Sequence, residues 1–300
     1  MRIVKKDSYL YLRHTFRKDG QIVTRERYLG KEIPKNIEEI KQEMGQESQK
    51  ILFEKLEKIR NNFQLEWKRL PESARQREKE EIAIAFTYNS NAIEGSTITL
   101  EETREILVEQ TAPNKPLKDI RETEAHAKVF LNMLGKTRAE RISAGPSETR
   151  RFAREEKISK ELLLRWHREI FEETKPDIAG RYRDFLVRVG PYIAPDWQGV
   201  EDLMKDFIKF VNDAKLNPVE LAGRAHYRFE KIHPFGDGNG RIGRLLTNHI
   251  LWHYGYPMLI IEYAKRKSYY KAFPKGEEGF LNYFIRRYLT VHKKRYATHR

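Results

Sequence analysis

The sequence predicts a mainly α-helical protein preceded by a small β module. Three observations carry this. From Asn36 onward, apolar residues recur at three- and four-residue spacing through most of the chain. Alternation at period two is confined to the first thirty residues and to Phe185–Ile193. Helix-start signals punctuate the rest: a cap at Asn36, the capping-box pattern Thr99-Leu-Glu-Glu102, and Asn217-Pro218, a cap followed by a first-turn proline.

Composition narrows the function classes. The chain has 300 residues, 39% of them apolar, enough for one sizeable core and a satellite module. It contains no cysteine, which excludes disulfides, thiolate metal sites and a cysteine nucleophile, so any metal must be held by oxygen or imidazole. A net charge of +14 favours phosphate-bearing partners without choosing among them. Apolar runs such as Ala83–Phe86 and Met258–Ile261 are far shorter than the roughly 20 residues a bilayer requires, and Met1-Arg-Ile-Val-Lys-Lys lacks a signal-peptide apolar stretch. No membrane partner is expected, and the cytoplasm is the expected compartment.

The elements follow in order. Tyr9-Leu-Tyr-Leu-Arg alternates, Lys18-Asp-Gly-Gln21 supplies a hairpin turn and Ile22-Val-Thr resumes, giving a β-hairpin module over residues 1–35. Its excess of Lys and Arg could track nucleic acid, although such a face is more often merely solvated. A helical region over 36–110 starts with a long charged helix, and Leu70-Pro71 restarts it. A helical core over 111–300 follows, with helices expected at about 117–135, 159–173, 197–214, 218–232, 240–254 and 277–292. Gly135–Lys157 reads as a loop, and the basic tail Arg286–Arg300 as a segment that frays or presents a basic face. Trp166, Trp197 and Trp252 read as packing residues.

The chemistry concentrates in His233-Pro-Phe-Gly-Asp237-Gly-Asn-Gly-Arg241-Ile-Gly-Arg244. The helix from Asn217-Pro218 stops at Pro234, which puts His233 on its end. Gly236, Gly238 and Gly240 let the backbone turn its N–H groups inward, and a new helix begins near Gly240; a glycine-rich turn entering a helix N-terminus is an anion site. Arg241 and Arg244, three residues apart in its first turn, repel one another unless an anion such as a polyphosphate lies between them. Asp237 offers one hard oxygen ligand, the minimum Mg²⁺ asks of a protein when phosphates and water complete its shell. His233, with an ordinary pKa of about 6.5, can accept a proton near neutrality.

This stretch resembles the signature of the Fic family, His-Pro-Phe-x-Asp/Glu-Gly-Asn-Gly-Arg-x-x-Arg, and matches every fixed position. Arg165-Trp-His167, Gly180-Arg-Tyr-Arg183 and Tyr269-Tyr270 also resemble recurrent features of the family core, so the likeness covers roughly residues 80–290. The resemblance implies a Fic-type helical domain that transfers AMP from ATP, its co-substrate, to a Ser, Thr or Tyr hydroxyl of a target protein. It implies His233 as general base and Asp237 as ligand of Mg²⁺. Gly236, Gly238, Asn239 and Gly240 would form the phosphate cradle, Arg241 and Arg244 the clamp on the distal phosphates, and Pro234 and Phe235 the loop's anchors. Asn248, further along the helix, is a candidate nucleotide contact, and Tyr269 or Tyr270 a candidate flank for adenine.

Two further motifs join it. Phe185-Leu186-Val187-Arg188-Val189 and the turn Gly190-Pro191 look like the family's flap, a hairpin that holds a target peptide by strand addition. Ser90-Asn-Ala-Ile-Glu94-Gly95 resembles the family's inhibitory pattern, which implies that Glu94 pairs with Arg244 and displaces the γ-phosphate. Two alternatives stay open at this stage: hydrolytic removal of AMP by the same loop, and a nucleotide-sensing regulator that binds nucleic acid through residues 1–36. Self-modification and homodimer formation are common in the family.

Overall fold

The computed structural model describes residues 1–18, 21–135 and 157–297. The expected turn at Asp19-Gly20 and almost all of the loop expected over 135–157 lie outside them. The chain divides into two compact units, Met1–Ile59 and Arg60–Arg300.

In the first unit, strands β1 (Arg2–Lys6), β2 (Tyr9–Lys18) and β3 (Gln21–Gly30) form an antiparallel sheet in that order, with Val4 opposite Tyr11 and Thr15 opposite Thr24. The expected hairpin is extended by β1, whose run Arg-Ile-Val-Lys-Lys is too short and charged to announce itself as a strand. Helix α1 (Ile37–Arg69) begins here, and ion pairs join it to the sheet: Lys18 and Arg25 to Glu47 at 2.9 and 3.4 Å, and Arg27 to Glu43. Leu12 is fully buried, and His14 Nε2 lies 2.8 Å from Ser48 Oγ. Tyr9 and Tyr11 pack against Tyr28 with ring centroids 5.5 and 5.4 Å away.

The second unit is helical. Its helices are α2 (Glu72–Ile93), α3 (Leu100–Arg104), α4 (Leu117–Leu134), α5 (Lys160–Phe171), α6 (Val200–Asp213), α7 (Pro218–Ile232), α8 (Asn239–His253), α9 (Arg266–Tyr270) and α10 (Gly276–His292). Thr99 and Glu102 form the expected capping box at the start of α3. Hairpin strands β4 (Arg188–Val189) and β5 (Tyr192–Ile193) interrupt the helices where alternation was found. The core gathers around α7 and α8, whose Phe229, Ile242, Leu245 and Leu246 are fully buried. No helix among the described residues is long and apolar enough to cross a membrane.

Two expectations need correction. Trp166 and Trp252 are buried, but Trp197, which opens the first short turn after the hairpin, is 39% exposed. The tail through Tyr296 does not fray: Tyr296 is buried edge-on against Phe63 at 5.6 Å, and Arg295 pairs with Glu66 and Glu78 at 2.5 and 3.2 Å. Arg295 is thus matched by acids that lie far away in sequence, while Arg286, Lys293 and Lys294 are exposed, in keeping with the basic face that was the other expectation.

Helix α10 approaches α7 closely at Gly223, where an added Cβ would lie 2.9 Å from Phe284 Cδ1 and 3.0 Å from Leu281 Cδ1. Gly223→Val should therefore destabilise the fold by about 1–3 kcal/mol through overpacking. Gly199→Ala, where a Cβ meets nothing within 4 Å, should melt like wild type in the same thermal unfolding experiment.

Candidate active site

Asn217 caps α7 by accepting from the Val219 N–H at 3.0 Å, and Pro218 occupies the first turn. The helix ends at His233 in the left-handed conformation, φ 53°, unusual for a side chain with a Cβ. His233 Nδ1 lies 3.3 Å from the Glu230 carbonyl oxygen. A carbonyl can only accept, so Nδ1 carries the hydrogen and Nε2 presents its lone pair. Burial, with help from Arg183, holds the imidazole below its ordinary pKa of 6.5 against that hydrogen bond. The neutral form with a free Nε2 is what a general base requires.

The loop after His233 is braced from several sides. Asn239 spends both ends of its side chain on one residue: Oδ1 accepts from the Phe235 N–H and Nδ2 donates to the Phe235 carbonyl, each at 2.8 Å. Phe235 is fully buried and stacks on the His167 ring at 4.0 Å. His167 Nδ1 accepts from the Gly180 N–H at 3.0 Å, so its Nε2–H donates to the Asp237 carbonyl at 3.0 Å. Burial pushes His167 down to about 4, which keeps it neutral in this role. Arg183 donates to the carbonyls of His233, Phe185 and Pro195 at 2.8, 2.9 and 2.6 Å, tying the loop to the hairpin. At Gly238, φ 76°, a Cβ would lie 2.3 Å from the Phe171 ring, so only glycine fits.

The two arginines of the helix start are buried at 5% and 3% exposure. Arg244 donates through Nε to Ser90 Oγ at 3.0 Å and through one terminal nitrogen to the Ser90 carbonyl at 2.9 Å and to Glu94 Oε1 at 2.7 Å. Its other terminal nitrogen, NH1, has no hydrogen-bond partner among the described residues. Glu94 Oε1 would stand 2.1 Å from a Cβ on Gly240, so the carboxylate lies against the first turn of α8, where an anion is favoured. Ser90, Glu94 and Gly95, the last at φ 92°, thus come together at the end of α2 as a cap over Arg244.

Asp237 presents Oδ1 to the Gly238 N–H at 2.5 Å and Oδ2 to Lys175 Nζ at 2.5 Å. Burial alone would raise its pKa, but Lys175 and Arg241 carry it below the ordinary value. Lys175 also reaches Glu122 Oε1 at 3.2 Å, and Arg241 pairs with the other oxygen of Glu122. Among the described residues no group of three or more His, Asp or Glu side chains could hold a metal ion, so Asp237 could bind one only with oxygens from elsewhere.

The flap residues meet the loop: Phe185 Cζ would stand 2.8 Å from a Cβ on Gly236. Phe185, Leu186 and Val189 are 43%, 65% and 43% exposed, Arg188 is exposed, and the Val187 carbonyl accepts from the Ala194 N–H at 3.1 Å. Asn248 is not brought in. It is fully buried, with Nδ2 donating to the Arg244 and Leu259 carbonyls and Oδ1 accepting from the Leu259 N–H, so its polar atoms pin a distant segment to α8. Tyr269 is likewise buried, its hydroxyl 2.7 Å from His226 Nε2, while Tyr270 is 46% exposed and donates to the Ile93 carbonyl beside Glu94. Glu122, Lys175 and Phe171 were not among the residues singled out, because an acid, a lysine and a phenylalanine on ordinary helical stretches carry no motif.

Glu230 adds a titration. Its carboxyl is buried, with Oε2 3.9 Å from His233 Nδ1, and burial pushes it up to about 8 against the charge of Arg244. A carboxyl raised from 4.5 to about 8 on folding costs stability that grows as pH climbs between those values. Glu230→Gln should therefore raise the melting temperature little at pH 4 and most at pH 8 and above. An equal shift at both pH values in thermal unfolding would contradict this.

The comparisons with known proteins converge on the same region. Residues 157–251 match the model of the Fic/DOC family. A protein adenylyltransferase Fic of Nematostella vectensis is 33% identical over 66% of this chain and 44% of its own length. Protein adenylyltransferase fic-1 of Caenorhabditis elegans is 33% identical over 74% of this chain and 42% of its own length. The chain thus spans less than half the length of these curated relatives. Among solved structures, Fic-1 (aa134–508) from C. elegans superposes with a TM-score of 0.66 at 25% identity, covering 84% of this chain and 72% of that one. A Fic domain containing signaling protein from Bacteroides thetaiotaomicron VPI-5482 gives 0.63 at 25% identity, over 80% and 96%. With its signature loop at the junction of α7 and α8 and this fold around it, the chain carries a Fic/DOC domain over residues 157–251.

Proposed function

We propose that the protein is an adenylyltransferase that moves AMP from ATP to a Ser, Thr or Tyr hydroxyl of a protein, and that Glu94 holds it inactive in cis. The observation that carries this reading is the 2.7 Å pair between Glu94 and Arg244 at the mouth of an otherwise complete phosphate site. Names of the relatives support the reaction class; the site supplies its parts.

In the reaction, the target hydroxyl gives its proton to His233 Nε2 as its oxygen bonds to the α-phosphorus. The bond from that phosphorus to the bridging oxygen breaks, and pyrophosphate leaves. Arg241 and Arg244, with the N–H groups of the α8 N-terminus, stabilise charge on the departing phosphates. Asp237 is the residue that would hold Mg²⁺; its Oδ2 already faces a cation, Lys175, and is hard, as that metal requires. The metal would neutralise charge on the phosphates. The exposed edge and apolar residues of the β4–β5 hairpin suit an extended peptide added as a strand, which would present its hydroxyl beside His233. Chemistry of this kind on a chain without cysteine fits the cytoplasm.

Glu94 opposes this by occupying Arg244, the partner of the γ-phosphate. Keeping 99% of the protein inactive needs only about 2.7 kcal/mol, within reach of one partly buried charge-assisted pair and its Ser90 bonds. Glu94→Gly should consequently raise protein-bound label from ATP labelled at the α-phosphate by up to about 100-fold, while ATP labelled at the γ-phosphate gives none. His233→Ala in that background should lower the rate by about 10²–10⁴-fold. Label arriving from the γ-position would mean phosphate transfer, and no label in any variant would remove the reading.

The base assignment sets the pH dependence. With the folded pKa of His233 below 6.5, its neutral form is lost only in acid, so the Glu94→Gly rate should be level through neutrality and fall with an acid limb below pH 6.5. A limb at or above that value, measured as kcat/KM against pH, would contradict the assignment.

A further inference from the structure

Lys175 is placed by backbone as well as by charge. Its N–H donates to the Phe171 carbonyl at 2.7 Å, Pro176 follows it, and its ammonium lies 4.8 Å above the Phe171 ring. The side chain is only 15% exposed. Within that confinement Nζ touches two carboxylate oxygens, Asp237 Oδ2 at 2.5 Å and Glu122 Oε1 at 3.2 Å.

Glu122 is itself well held. Oε1 accepts from Thr174 Oγ1 at 3.0 Å, and Oε2 takes Arg241, whose guanidinium carbon lies 4.3 Å from the centroid of the same Phe171 ring. Asp237 differs: its side chain is 49% exposed, against 8% for Glu122. One of the two carboxylates is therefore a fixed buried partner, and the other opens toward the space above the loop. A lysine that leaves Asp237 keeps Glu122 and is never left as a bare buried charge.

We infer that Lys175 is a resident cation at the metal position, held on Asp237 Oδ2 until a divalent ion takes that oxygen and the ammonium retreats to Glu122. The inference rests on the reading of Asp237 as the metal ligand and adds what governs its occupancy. Two carboxylates and two cations already balance among Asp237, Glu122, Lys175 and Arg241. A divalent ion alone would bring two uncompensated positive charges into a partly dehydrated site. Nucleotide phosphates cancel them, so metal and nucleotide enter together, and by reciprocity each tightens the other. Lys175 thus keeps Asp237 from binding metal without nucleotide.

The test is Mn²⁺ binding, followed by the electron paramagnetic resonance signal of the free ion, with saturating ADP and without it. Wild type, Lys175→Met, Lys175→Gln, Lys175→Arg and Asp237→Ala are compared. Removing one partly buried competing charge should tighten Mn²⁺ by about tenfold in both neutral variants, with the larger gain in the absence of ADP. Lys175→Arg should stay near wild type, and Asp237→Ala should lose the site. Neutral variants that bind Mn²⁺ no tighter than wild type, while Asp237→Ala loses it, would overturn the role of Lys175 and leave the metal ligand standing. Unchanged binding by Asp237→Ala would remove the ligand reading and the inference with it. Loss of ADP affinity by both neutral variants in EDTA would make Lys175 a phosphate ligand instead, which also overturns the inference.

Discussion

A guanidinium buried at 3% exposure has to be answered by an anion, and Arg244 sits where the dipole and free N–H groups of α8 add to the demand. Breaking one side of a buried pair costs about 3–5 kcal/mol, less where the acid is partly exposed as Glu94 is. On the proposed reading the site has two ways of satisfying Arg244, the carboxylate from α2 that it holds or a phosphate from solution, and they would compete for one position. Gly240 makes the competition direct, since any side chain there would collide with Glu94. Ser90 bonds Arg244 through its hydroxyl and carbonyl oxygens, separately from Glu94, and aims the guanidinium.

The surroundings of this exchange are built not to move. Asn239 locks the loop onto Phe235, His167 and Phe235 stack, and Arg183 gathers carbonyls from both the loop and the hairpin. These braces are neutral or already satisfied, so none competes for nucleotide. Among the described residues, the groups left available are those the proposed chemistry would use: His233 Nε2, the exposed face of Asp237, and the NH1 nitrogen of Arg244. Preorganisation of this kind lets electrostatic stabilisation act without reorientation during the reaction.

Much of this was legible before any coordinates. Caps at Thr99 and at Asn217-Pro218 mark helix starts because they satisfy backbone N–H groups locally, and the loop could be read because its chemistry is contiguous. The pairing of Glu94 with Arg244 was reachable only through the family resemblance, since 150 residues separate them. Glu122, Lys175, His167 and Phe171 were beyond reach for the same reason: each works through a contact that tertiary packing creates. Asn248 shows the opposite error. One turn beyond Arg244, it looked placed for nucleotide, but the long-range demand of the Leu259 backbone claimed its amide. Trp197 was misjudged on composition, which does not reveal whether a partner lies near.

Competition for Arg244 can be measured without any target protein. Equilibrium affinities of ATP and ADP differ only through the γ-phosphate, so their ratio reports whether Arg244 is free to hold it. Wild type should bind the two nucleotides alike, and Glu94→Gly should prefer ATP by about tenfold, the worth of one charge-assisted contact. A wild type that already prefers ATP, or a Glu94→Gly variant that does not, would contradict the claim that Glu94 and the γ-phosphate share one partner.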